Sequence, residues 1–582
     1  MDTAVQASAS IIYGPPLSEQ PGLGALTLPA YLREVTDRFA DREAMVVHQP
    51  DGEIDRWSYA DLWAMAMDVA RSLAACGVGK DSRVGVMMTN RPEWLAAFFG
   101  VGLAGGVAVT VSTFSTPAEL EYLLQASCVS VLLFERNVLK KDFAAVLADL
   151  APEILAAEPG TLVCDAFPFL RRLVMLGQGA PKGGQGAIET WPQFLAHGAA
   201  IPADLIDRTA AAVSPADPGA IYFSSGSTGK PKGILSSHRG VTTQLWRWGW
   251  YTDVDDHLRC LSANGFFWSG NFCQTLGPTL SNGGSMILQR TFEPAEFLRL
   301  MEAERVTMAI GWPHQWARLE EAPNWAQVDL SSLIYVDGQT ALIRHPTVTT
   351  TWISPRWSYG NTETFTIVTG YRANTSDEIA GDTHGEALPG TGIKVVDPLT
   401  GEILPRGQSG EIALKGATLM LGYLGVPLDE TLDSEGFFRT GDGGRIDDRG
   451  RLVWEGRMTD IIKTGGANVS PVEVDFELAD LPGVKLSRTV GVPHETLGEL
   501  VVTCVVLEPG AVLDEAAIRT FLLSRLASYK TPRRVLFVGD EDLSFTGSAK
   551  VKTSGLRELA LKRLQAEGDA RRTQDGRRQN AN

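Results

Sequence analysis

The chain has 582 residues, which is too long for one ordinary hydrophobic core, so we expect more than one domain. Hydrophobic residues make up 44 % of the chain and charged residues 21 %, an ordinary globular composition that argues against wholesale disorder. The 52 lysines and arginines against 69 aspartates and glutamates give a formal net charge of −17. That charge disfavours nucleic acid or an anionic membrane surface as the main partner.

The cysteines and the apolar segments predict a cytoplasmic protein without a membrane span. The six cysteines are scattered and form no CxxC pair, so we expect buried thiols in a reducing compartment, without a disulfide framework or a zinc site. The N-terminus lacks a basic start followed by an apolar run, so no signal peptide is expected. The charge-free segment Trp94–Val111 is long enough to suggest a bilayer span. Its four glycines and the helix start at Pro92 predict instead a buried helix, a glycine turn and a strand at Val107–Val111.

Apolar strand-like runs alternate with amphipathic helical stretches up to about residue 450. This alternation predicts α/β layers. The predicted strands include Arg83–Met88, Val129–Phe134, Arg172–Leu176, Ala220–Phe223, Ser285–Leu288 and Leu333–Val336.

The pattern changes to short β pieces after Gly401 and to a smaller α+β pattern after Gly456. The elements predicted in this last part are Thr489–Val492, Val501–Leu507, a helix near Asp514–Leu526, and Val535–Val538. We therefore predict a large α/β N-terminal domain at 1–456, a small, mobile α+β domain at 457–564 and a polar, disordered tail at 565–582.

The run from Tyr222 to Gly233 has the composition of a phosphate-binding loop. It follows a predicted buried strand, and a helix is expected to begin near Ser237. Glycines let the backbone turn tightly and bring N–H groups close to phosphate oxygens, and hydroxyl and ammonium groups add donors and charge. Those side chains are Ser224, Ser225, Ser227, Thr228, Lys230 and Lys232. Such residues also form ordinary surface loops, but so long a run directly after a buried strand favours a phosphate site.

Several other motifs have no support in the sequence. Only two residues separate Gly226 from Gly229 and Pro231 follows Lys230, so the loop is not a Walker A motif. No Gly-x-Ser-x-Gly elbow and no His-Glu-x-x-His motif occurs, which leaves hydrolase and zinc-peptidase chemistry without support.

Together with the phosphate loop, further motifs resemble the acyl-adenylate-forming enzymes, which comprise acyl-CoA synthetases, luciferases and the adenylation domains of peptide synthetases. The motifs follow in the family's order, and the likeness spans about residues 30–560. They are Tyr359-Gly-Asn-Thr-Glu363, Gly410-Glu-Ile with Met420-Leu-Gly-Tyr423, Phe438-Arg-Thr-Gly-Asp442, Gly456-Arg-Met-Thr-Asp-Ile-Ile-Lys-Thr-Gly-Gly466, Tyr529-Lys-Thr-Pro532 and Lys550. The resemblance implies an acyl-CoA synthetase that joins a carboxylate to the α-phosphorus of ATP, expels pyrophosphate and then forms a thioester with coenzyme A.

By resemblance, the loop holds the β- and γ-phosphates of ATP. Its phosphate contacts are Ser224, Ser225, Gly226, Ser227, Thr228, Gly229 and Lys232. Glu363 would help bind Mg²⁺, a hard cation that favours oxygen ligands, and Thr362 would hydrogen-bond the phosphate. Lys550 would reach in from the small domain and bridge the acyl carboxylate and the α-phosphate as charge builds.

The resemblance also implies the nucleoside contacts. Gly338 and Gln339 would line the adenine, and Tyr359 would stack on it. Asp442 would accept hydrogen bonds from both ribose hydroxyls, which suits a carboxylate with two acceptor oxygens. Arg457 would add a ribose contact.

The second step requires a thiol to attack the adenylate after the small domain has rotated about a hinge. Gly465 and Gly466 would lie beside the pantetheine arm, where the absence of a Cβ permits close approach. The hinge position is usually Asp or Lys in the family, and here it is Thr459. The lysine motif departs as well, because alanine stands where glycine usually precedes Lys550. Lys552 is the alternative lysine.

The acid pocket is expected around residues 266–271 and 311–313. Its predicted lining is Phe267, Trp268, Gly270, Trp312 and Gly360. Amino-acid-activating relatives carry an aspartate at the position of Phe267, so an amino acid is disfavoured. Acetate-using relatives block the pocket with a tryptophan at the position of Gly360, so glycine there favours a longer or ring-bearing acid. We expect a medium- or long-chain fatty acid, with an aryl or cyclic acid as the alternative.

The sequence offers three alternatives to a coenzyme A-dependent acyl-CoA synthetase. Gly100–Gly105 matches GxGxxG, with Glu119 and Glu121 at about the distance of a ribose acid, but it follows a predicted helix, which disfavours an oxidoreductase. A non-catalytic nucleotide-binding protein is disfavoured because binding alone would not need Lys550. The acceptor thiol can also be the phosphopantetheine of a carrier protein, although the sequence carries no carrier domain. Assembly into a homodimer stays open.

Overall fold

The computed structural model describes residues 9–179, 184–224, 231–355, 357–458, 460, 462–464, 467–494, 497–526, 530–543, 551 and 553–579. Helices and strands alternate along much of this part of the chain, as in an α/β protein. The helices are α1 Leu28–Arg38, α2 Tyr59–Ala75, α3 Pro92–Leu103, α4 Pro117–Ser127, α5 Phe143–Leu150, α6 Glu153–Ala156, α7 Trp191–His197, α8 Ala203–Ala211, α9 His238–Tyr251, α10 Ser269–Asn282, α11 Pro294–Ala303, α12 Pro313–Glu320, α13 Asp377–Ala380, α14 Pro471–Ala479, α15 Glu515–Leu523 and α16 Thr553–Gln579.

The strands are short, and most are buried on at least one face. They are β1 Ile11–Tyr13, β2 Glu43–His48, β3 Ile54–Ser58, β4 Arg83–Met87, β5 Val107–Thr110, β6 Val131–Glu135, β7 Asn137–Val138, β8 Lys141–Asp142, β9 Arg172–Leu176, β10 Ile188–Thr190, β11 Pro218–Ser224, β12 Lys232–Ser237, β13 Arg259–Ser262, β14 Ser285–Leu288, β15 Met308–Ile310, β16 Tyr359–Gly360, β17 Ile367–Gly370, β18 Glu386–Ala387, β19 Thr391–Val396, β20 Gly410–Gly416, β21 Gly422–Tyr423, β22 Phe438–Ile446, β23 Leu452–Arg457, β24 Ile462–Thr464, β25 Ala467–Val469, β26 Val484–His494, β27 Gly498–Leu507 and β28 Arg534–Phe537.

Two sheets contain most of the parallel strands. The larger has the order β10-β9-β6-β4-β5-β11-β12-β21, in which the first six strands are parallel and β12 is antiparallel to both of its neighbours. The second has the order β15-β13-β14-β2-β3, in which only β3 is antiparallel. Parallel strands need crossover connections, and α3 and α4 provide two of them by joining β4 to β5 and β5 to β6.

Three further sheets of three or more strands have other strand orders, and β7 and β8 form a two-stranded sheet. One runs β1-β19-β20-β22-β23, and a small antiparallel sheet runs β16-β17-β18. In the third, β25-β24-β27-β26 form the main path and β28 pairs in parallel with β27.

The observed strands agree closely with the hydrophobic runs that predicted them. Arg172–Leu176 and Ser285–Leu288 have the predicted bounds. The exception is Leu333–Val336, which forms no strand: only Tyr335 pairs, in a single bridge with Met308. The N–H groups of residues 334 and 335 both donate to one carbonyl, that of Thr307, so no ladder of hydrogen bonds continues from the bridge.

The charge-free segment is a buried helix followed by a turn and a strand. Trp94 and Phe98 on α3 are fully buried, with ring centroids 5.2 Å apart. Gly105 makes the turn into β5 with φ +77°. Among the residues that the structure describes, no helix is both long and apolar enough to cross a membrane. The GxGxxG run lies at the end of α3, where it does not join a strand to a helix, so the dinucleotide interpretation gains no support.

The chain divides into two compact units. The large unit contains Ile12–Ile393 and Leu414–Phe438, and the small unit contains Met1–Ile11, Lys394–Ala413 and Arg439–Asn582. The domain boundary expected after residue 456 stays a prediction.

In the small unit, the sheet around β27 is covered on both faces. Alternate residues of β27 point to opposite sides, so Val501 and Val505 pack with α14 and α15, while Val502 and Val506 pack with α16. The disorder expected beyond residue 565 stays a prediction, and the backbone of α16 is helical as far as Gln579. Its sequence has no proline and is rich in good helix formers, and its first turns are anchored on the sheet.

A buried carboxyl group lies within the small unit. The side chain of Asp475 on α14 is 13 % exposed. It accepts a hydrogen bond of 2.8 Å from the Thr489 hydroxyl, and the Arg488 guanidinium is 3.9 Å away. Burial raises the pKa of Asp475 to about 7, and these two groups oppose the rise.

We predict that Asp475→Asn stabilises the protein at pH 8 and that the gain shrinks toward pH 5. The folded chain keeps the Asp475 proton up to about pH 7 whereas the unfolded chain loses it near its ordinary pKa. Wild-type stability therefore falls as the pH rises through this window, and asparagine removes that loss. Calorimetry of the full chain at both pH values measures the effect, which should reach several degrees in the transition containing α14.

Asp480→Asn, at a carboxyl group that is 61 % exposed, is the matched control and should show no such pH-dependent gain. Equal unfolding temperatures for Asp475→Asn and the wild type at both pH values would contradict the interpretation.

Candidate functional site

The predicted phosphate loop connects two antiparallel strands. β11 ends at Ser224 and β12 begins at Lys232, and these two residues face each other across the hairpin. Ser225, Gly226, Ser227, Thr228 and Gly229, which lie between them, are outside the described residues. After β12, α9 begins at His238, where the Ser237 hydroxyl accepts a hydrogen bond from the N–H of Gly240. The helix start near Ser237 was predicted, whereas β12 itself was not.

Lys232 and Glu363 are joined through Tyr423, a motif residue to which the sequence assigned no role. Tyr423 lies on β21, which pairs with β12. The Lys232 ammonium lies 4.9 Å from the centre of the Tyr423 ring, and the Tyr423 hydroxyl donates a 2.7 Å hydrogen bond to the Glu363 carboxylate. Two motifs that are more than a hundred residues apart thus meet at the end of the phosphate-loop hairpin.

Glu363 and Thr362 lie in one turn of 3₁₀ helix, Thr362–Thr364. The Asn361 side chain caps this turn by accepting a hydrogen bond from the N–H of Thr364. The Glu363 carbonyl accepts a 2.7 Å bond from the N–H of Met420 in the third motif. Both residues are half-buried.

Tyr359 and Gly360 form β16, which pairs with β17. Tyr359 is buried. The residue after it must be glycine because the backbone of a neighbouring segment lies very close. A Cβ atom at Gly360 would lie 1.9 Å from the carbonyl oxygen of Thr366. Glycine is therefore required for close approach of two strands, a reason separate from the open acid pocket that the sequence suggested.

Gly338 and Gln339 lie in an exposed turn that follows residues 335–336. The Asp337 carboxylate accepts a 2.9 Å bond from the N–H of Gln339, and its carbonyl accepts one from the N–H of Thr340. The turn is thus fixed by its own residues, and its predicted role beside adenine stays a prediction.

In the small unit, Asp442 and Arg457 face each other on β22 and β23. The buried Asp442 carboxylate and the Arg457 guanidinium are 3.1 Å apart, and Arg457 also donates a 2.9 Å bond to the carbonyl of Thr440. The Arg457 side chain is 53 % exposed. The two predicted ribose contacts therefore form one ion pair, which the sequence did not predict.

The other predicted residues of the catalytic step and the hinge are Lys550, Lys552, Thr459, Gly465 and Gly466. All five lie outside the described residues. Their assignments stay predictions.

The predicted acid-pocket aromatics form one cluster. The Trp268 ring lies 4.7 Å from that of Phe267 and 6.1 Å from that of Trp312, measured between centroids. Phe114, which the sequence did not suggest, stacks on Trp268 at 5.8 Å and is 51 % exposed. Gly270 lies beside them at the start of α10, and a Cβ there would meet no atom within 4 Å.

This aromatic cluster, Phe114, Phe267, Trp268 and Trp312, lies just beyond the carboxyl ends of β5, β13 and β15. Ligands of open α/β sheets bind at such ends. Only an aromatic residue directly after a parallel strand could have indicated Phe114, and that signal is weak.

Comparison with known proteins defines the class of enzyme. The chain is 30 % identical over 549 residues to a methyl-dioxo-octahydro-indenyl propanoyl:CoA ligase of Rhodococcus jostii (strain RHA1), a match that covers 93 % of this chain and 99 % of the relative. It is 29 % identical over 575 residues to the mitochondrial medium-chain acyl-CoA ligase ACSF2 of Danio rerio, covering 96 % and 91 % of the two chains. The crystal structure of ATP-bound MatB from Rhodopseudomonas palustris aligns with a TM-score of 0.68 and 27 % identity over 92 % of this chain and 99 % of that chain.

The family follows from two further matches. Residues 32–424 match the AMP-binding enzyme family, and residues 473–550 match the AMP-binding enzyme C-terminal domain. The chain belongs to the AMP-binding enzyme family. The predicted family, the α/β fold with a large N-terminal and a small C-terminal domain, and the class of acid–thiol ligase are thereby confirmed. Use of ATP and coenzyme A is implied by this membership.

We predict opposite effects of adding a methyl group at two glycines of the site. Gly360→Ala places a Cβ against a backbone carbonyl and should destabilise the protein by about 1–3 kcal/mol, as overpacking does. Gly270→Ala meets open space within a helix and should stabilise it by up to about 1 kcal/mol. Denaturant unfolding of the full chain measures both, and a Gly360→Ala protein as stable as the Gly270→Ala protein would contradict the close approach described for β16.

Proposed function

We propose that this enzyme activates a medium- or long-chain fatty acid as an acyl-adenylate and transfers the acyl group to coenzyme A. The contact chain from Lys232 through Tyr423 to Glu363 carries the proposal. It brings the end of the phosphate loop and the predicted metal-binding turn together, and an apolar aromatic cluster supplies a surface for the acid. No protein nucleophile is needed, because the carboxylate itself attacks phosphorus and the site has only to position and neutralise the reactants.

The residues at Glu363 fit a magnesium ion bound together with nucleotide. One carboxylate oxygen accepts the Tyr423 hydrogen bond, and the other has no hydrogen-bond donor among the described residues. Within the same residues, no group of three His, Cys, Asp or Glu side chains could hold a metal ion. Glu363 would thus supply one oxygen ligand, with phosphate and water oxygens supplying the others, as is usual for Mg²⁺. The bound ion would neutralise phosphate charge.

The chain's own residues have distinct roles in this proposal. Asp442, held by Arg457, would accept hydrogen bonds from the ribose hydroxyls. The donors of the phosphate loop would bind the leaving pyrophosphate. Lys550 would bridge the acyl carboxylate and the α-phosphate while negative charge develops there. In the second step the thiol attacks the acyl carbon, the bond from that carbon to the phosphate oxygen breaks, and AMP leaves.

A ring-bearing acid is the second candidate. The stacking of half-exposed Phe114 on Trp268 supports it, because aromatic faces bind flat rings well. The relative from Rhodococcus jostii is named for a ring-bearing acyl group, and the relative from Danio rerio for medium-chain acids. The carrier-protein thiol, the cytoplasmic location and the homodimer stay predictions.

We predict that pyrophosphate release with ATP and Mg²⁺ requires an apolar acid and rises with coenzyme A. A panel from acetate to palmitate, with benzoate, cinnamate and cyclohexanecarboxylate, measures the preference. Highest rates with C8–C16 acids support the main proposal, and highest rates with ring acids support the second candidate. Release unaffected by coenzyme A would contradict free coenzyme A as the acceptor, and no acid-dependent release with any acid would contradict the function itself.

We predict that Lys550→Ala lowers adenylation by at least about 100-fold while ATP binding persists, because the lysine acts on charge that develops in the transition state. Rapid-quench measurement of acyl-AMP and calorimetric titration with ATP separate these effects. Lys552→Ala is the matched control and should retain adenylation. Loss in Lys552→Ala together with wild-type rates in Lys550→Ala would move the role to Lys552.

A further inference from the structure

We infer that Arg247 is a positioning residue: with Gln244 and Trp248, its neighbours on α9, it fixes the turn that presents Glu363. The inference rests on the proposed function, because that function gives Glu363 its role beside the phosphates. No contact of Arg247 with substrate is implied.

The turn that carries Glu363 ends in strained backbone. Phe365 has φ +64°, a left-handed conformation that is an outlier for a bulky residue. Such strain persists only where surrounding contacts hold it. The fully buried Phe365 ring packs edge-on against Tyr222, with centroids 5.0 Å apart, and Tyr222 lies on β11 just before the phosphate loop.

One face of α9 supplies most of these holding contacts. The Gln244 side chain donates to the carbonyls of Thr364 and Ile367 at 2.9 and 2.8 Å. The Trp248 indole N–H donates to the Thr366 hydroxyl at 3.0 Å. Arg247 and Trp248 lie three and four residues after Gln244, so the three side chains project from the same side of the helix.

Arg247 is the least expected member of this face. It is fully buried, and none of its hydrogen-bond partners among the described residues is a carboxylate. Its guanidinium donates to the Gln20 side-chain oxygen at 3.0 Å and to the carbonyls of Ile367 and Pro389 at 3.1 and 2.6 Å. It thereby ties Ile367, just after the Glu363 turn, to Gln20 in the N-terminal segment and to Pro389.

A buried cation without an anionic partner is costly, and burial lowers the pKa of Arg247 to about 9. A methionine would fill a similar volume without that cost. What methionine cannot supply is a rigid fork of N–H donors for backbone carbonyls that are otherwise shielded from water. We therefore infer that Arg247 serves to fix the backbone beside the Glu363 turn.

The same helix also follows directly from the phosphate-loop hairpin. β12 ends at Ser237, which caps α9, so the strand that follows the phosphate loop runs directly into the helix that contacts residues 364–367. Loss of the Arg247 contacts should displace Glu363 from the loop without removing any predicted nucleotide contact.

The test compares Arg247→Met with Arg372→Met. Arg372 is a matched control because it also donates to the backbone of α9, at the carbonyl of Trp250, but its side chain is 42 % exposed and, within the described part of the chain, forms no hydrogen bond with residues 364–367. The readouts are hydrogen–deuterium exchange of peptides covering 361–370 and steady-state pyrophosphate release with the best acid of the panel.

In Arg247→Met, the amide hydrogens of residues 361–370 should exchange at least about 5-fold faster than in the wild type. Its kcat should fall about 10–100-fold while KM for ATP changes less than about 3-fold, because a misplaced group lowers the rate more than it weakens binding. Arg372→Met should match the wild type in all three. Arg247→Lys, which keeps a charged donor, should recover part of the kcat.

Unchanged exchange at 361–370 with unchanged kcat in Arg247→Met would overturn the inference. Faster exchange throughout the large unit, with kcat and KM both impaired, would also overturn it, because that is a general loss of stability. If Arg247→Met does not fold, Trp248→Phe decides: it removes one hydrogen bond and should show the same local pattern at smaller size. A wild type without acid-dependent pyrophosphate release would defeat the proposed function, whereas the exchange measurement would still decide whether Arg247 holds the turn.

Discussion

Both reactants of the proposed adenylation are anions, yet the chain has a net charge of −17. The positive charge that neutralises them must therefore be local, and we propose that the hairpin of β11 and β12, which ends with Lys232, supplies part of it. Pairing of Ser224 with Lys232 closes the loop between them and places the lysine ammonium over the Tyr423 ring. Backbone N–H groups in such a loop offer donors without adding side-chain charge, which suits an acidic protein.

The rest of the large unit's site is arranged relative to this hairpin. β21 pairs with its second strand, and Tyr423 on β21 reaches Glu363. α9 leaves the hairpin and holds the turn that carries Glu363 through three buried side chains. The aromatic cluster lies beyond the ends of neighbouring parallel strands. A rigid core of parallel sheets thus positions short loops, which is a common way to build a site on an α/β fold.

Local sequence was sufficient for much of the fold. Buried strands such as β9 and β14 are continuous apolar runs, and α3 begins at a proline and ends before glycines, so periodicity and turn residues marked them correctly. The short strand β12 was missed because its start, Lys232-Gly233, reads as part of the loop.

The contacts of the site could not be predicted in the same way, because they join distant residues. Gln244 lies 120 residues before Thr364, and no local pattern relates them. The hydrogen bond from Tyr423 to Glu363 depends on the pairing of β21 with β12, and the requirement for glycine at 360 depends on the approach of β17. The ion pair of Asp442 with Arg457 likewise depends on the register of β22 and β23. Motif order suggested Glu363, Gly360, Asp442 and Arg457, whereas only tertiary structure gives their partners.

In the proposed reaction the acid's carboxylate attacks the α-phosphorus of ATP. Oxygen-isotope transfer tests it most directly, with the preferred acid labelled with ¹⁸O at both carboxylate oxygens and turned over with ATP, Mg²⁺ and coenzyme A. The account predicts AMP that carries one ¹⁸O atom, because the bridging oxygen of the acyl-adenylate comes from the acid and leaves with AMP. Unlabelled AMP, or label in inorganic phosphate with ADP as the other product, would contradict it.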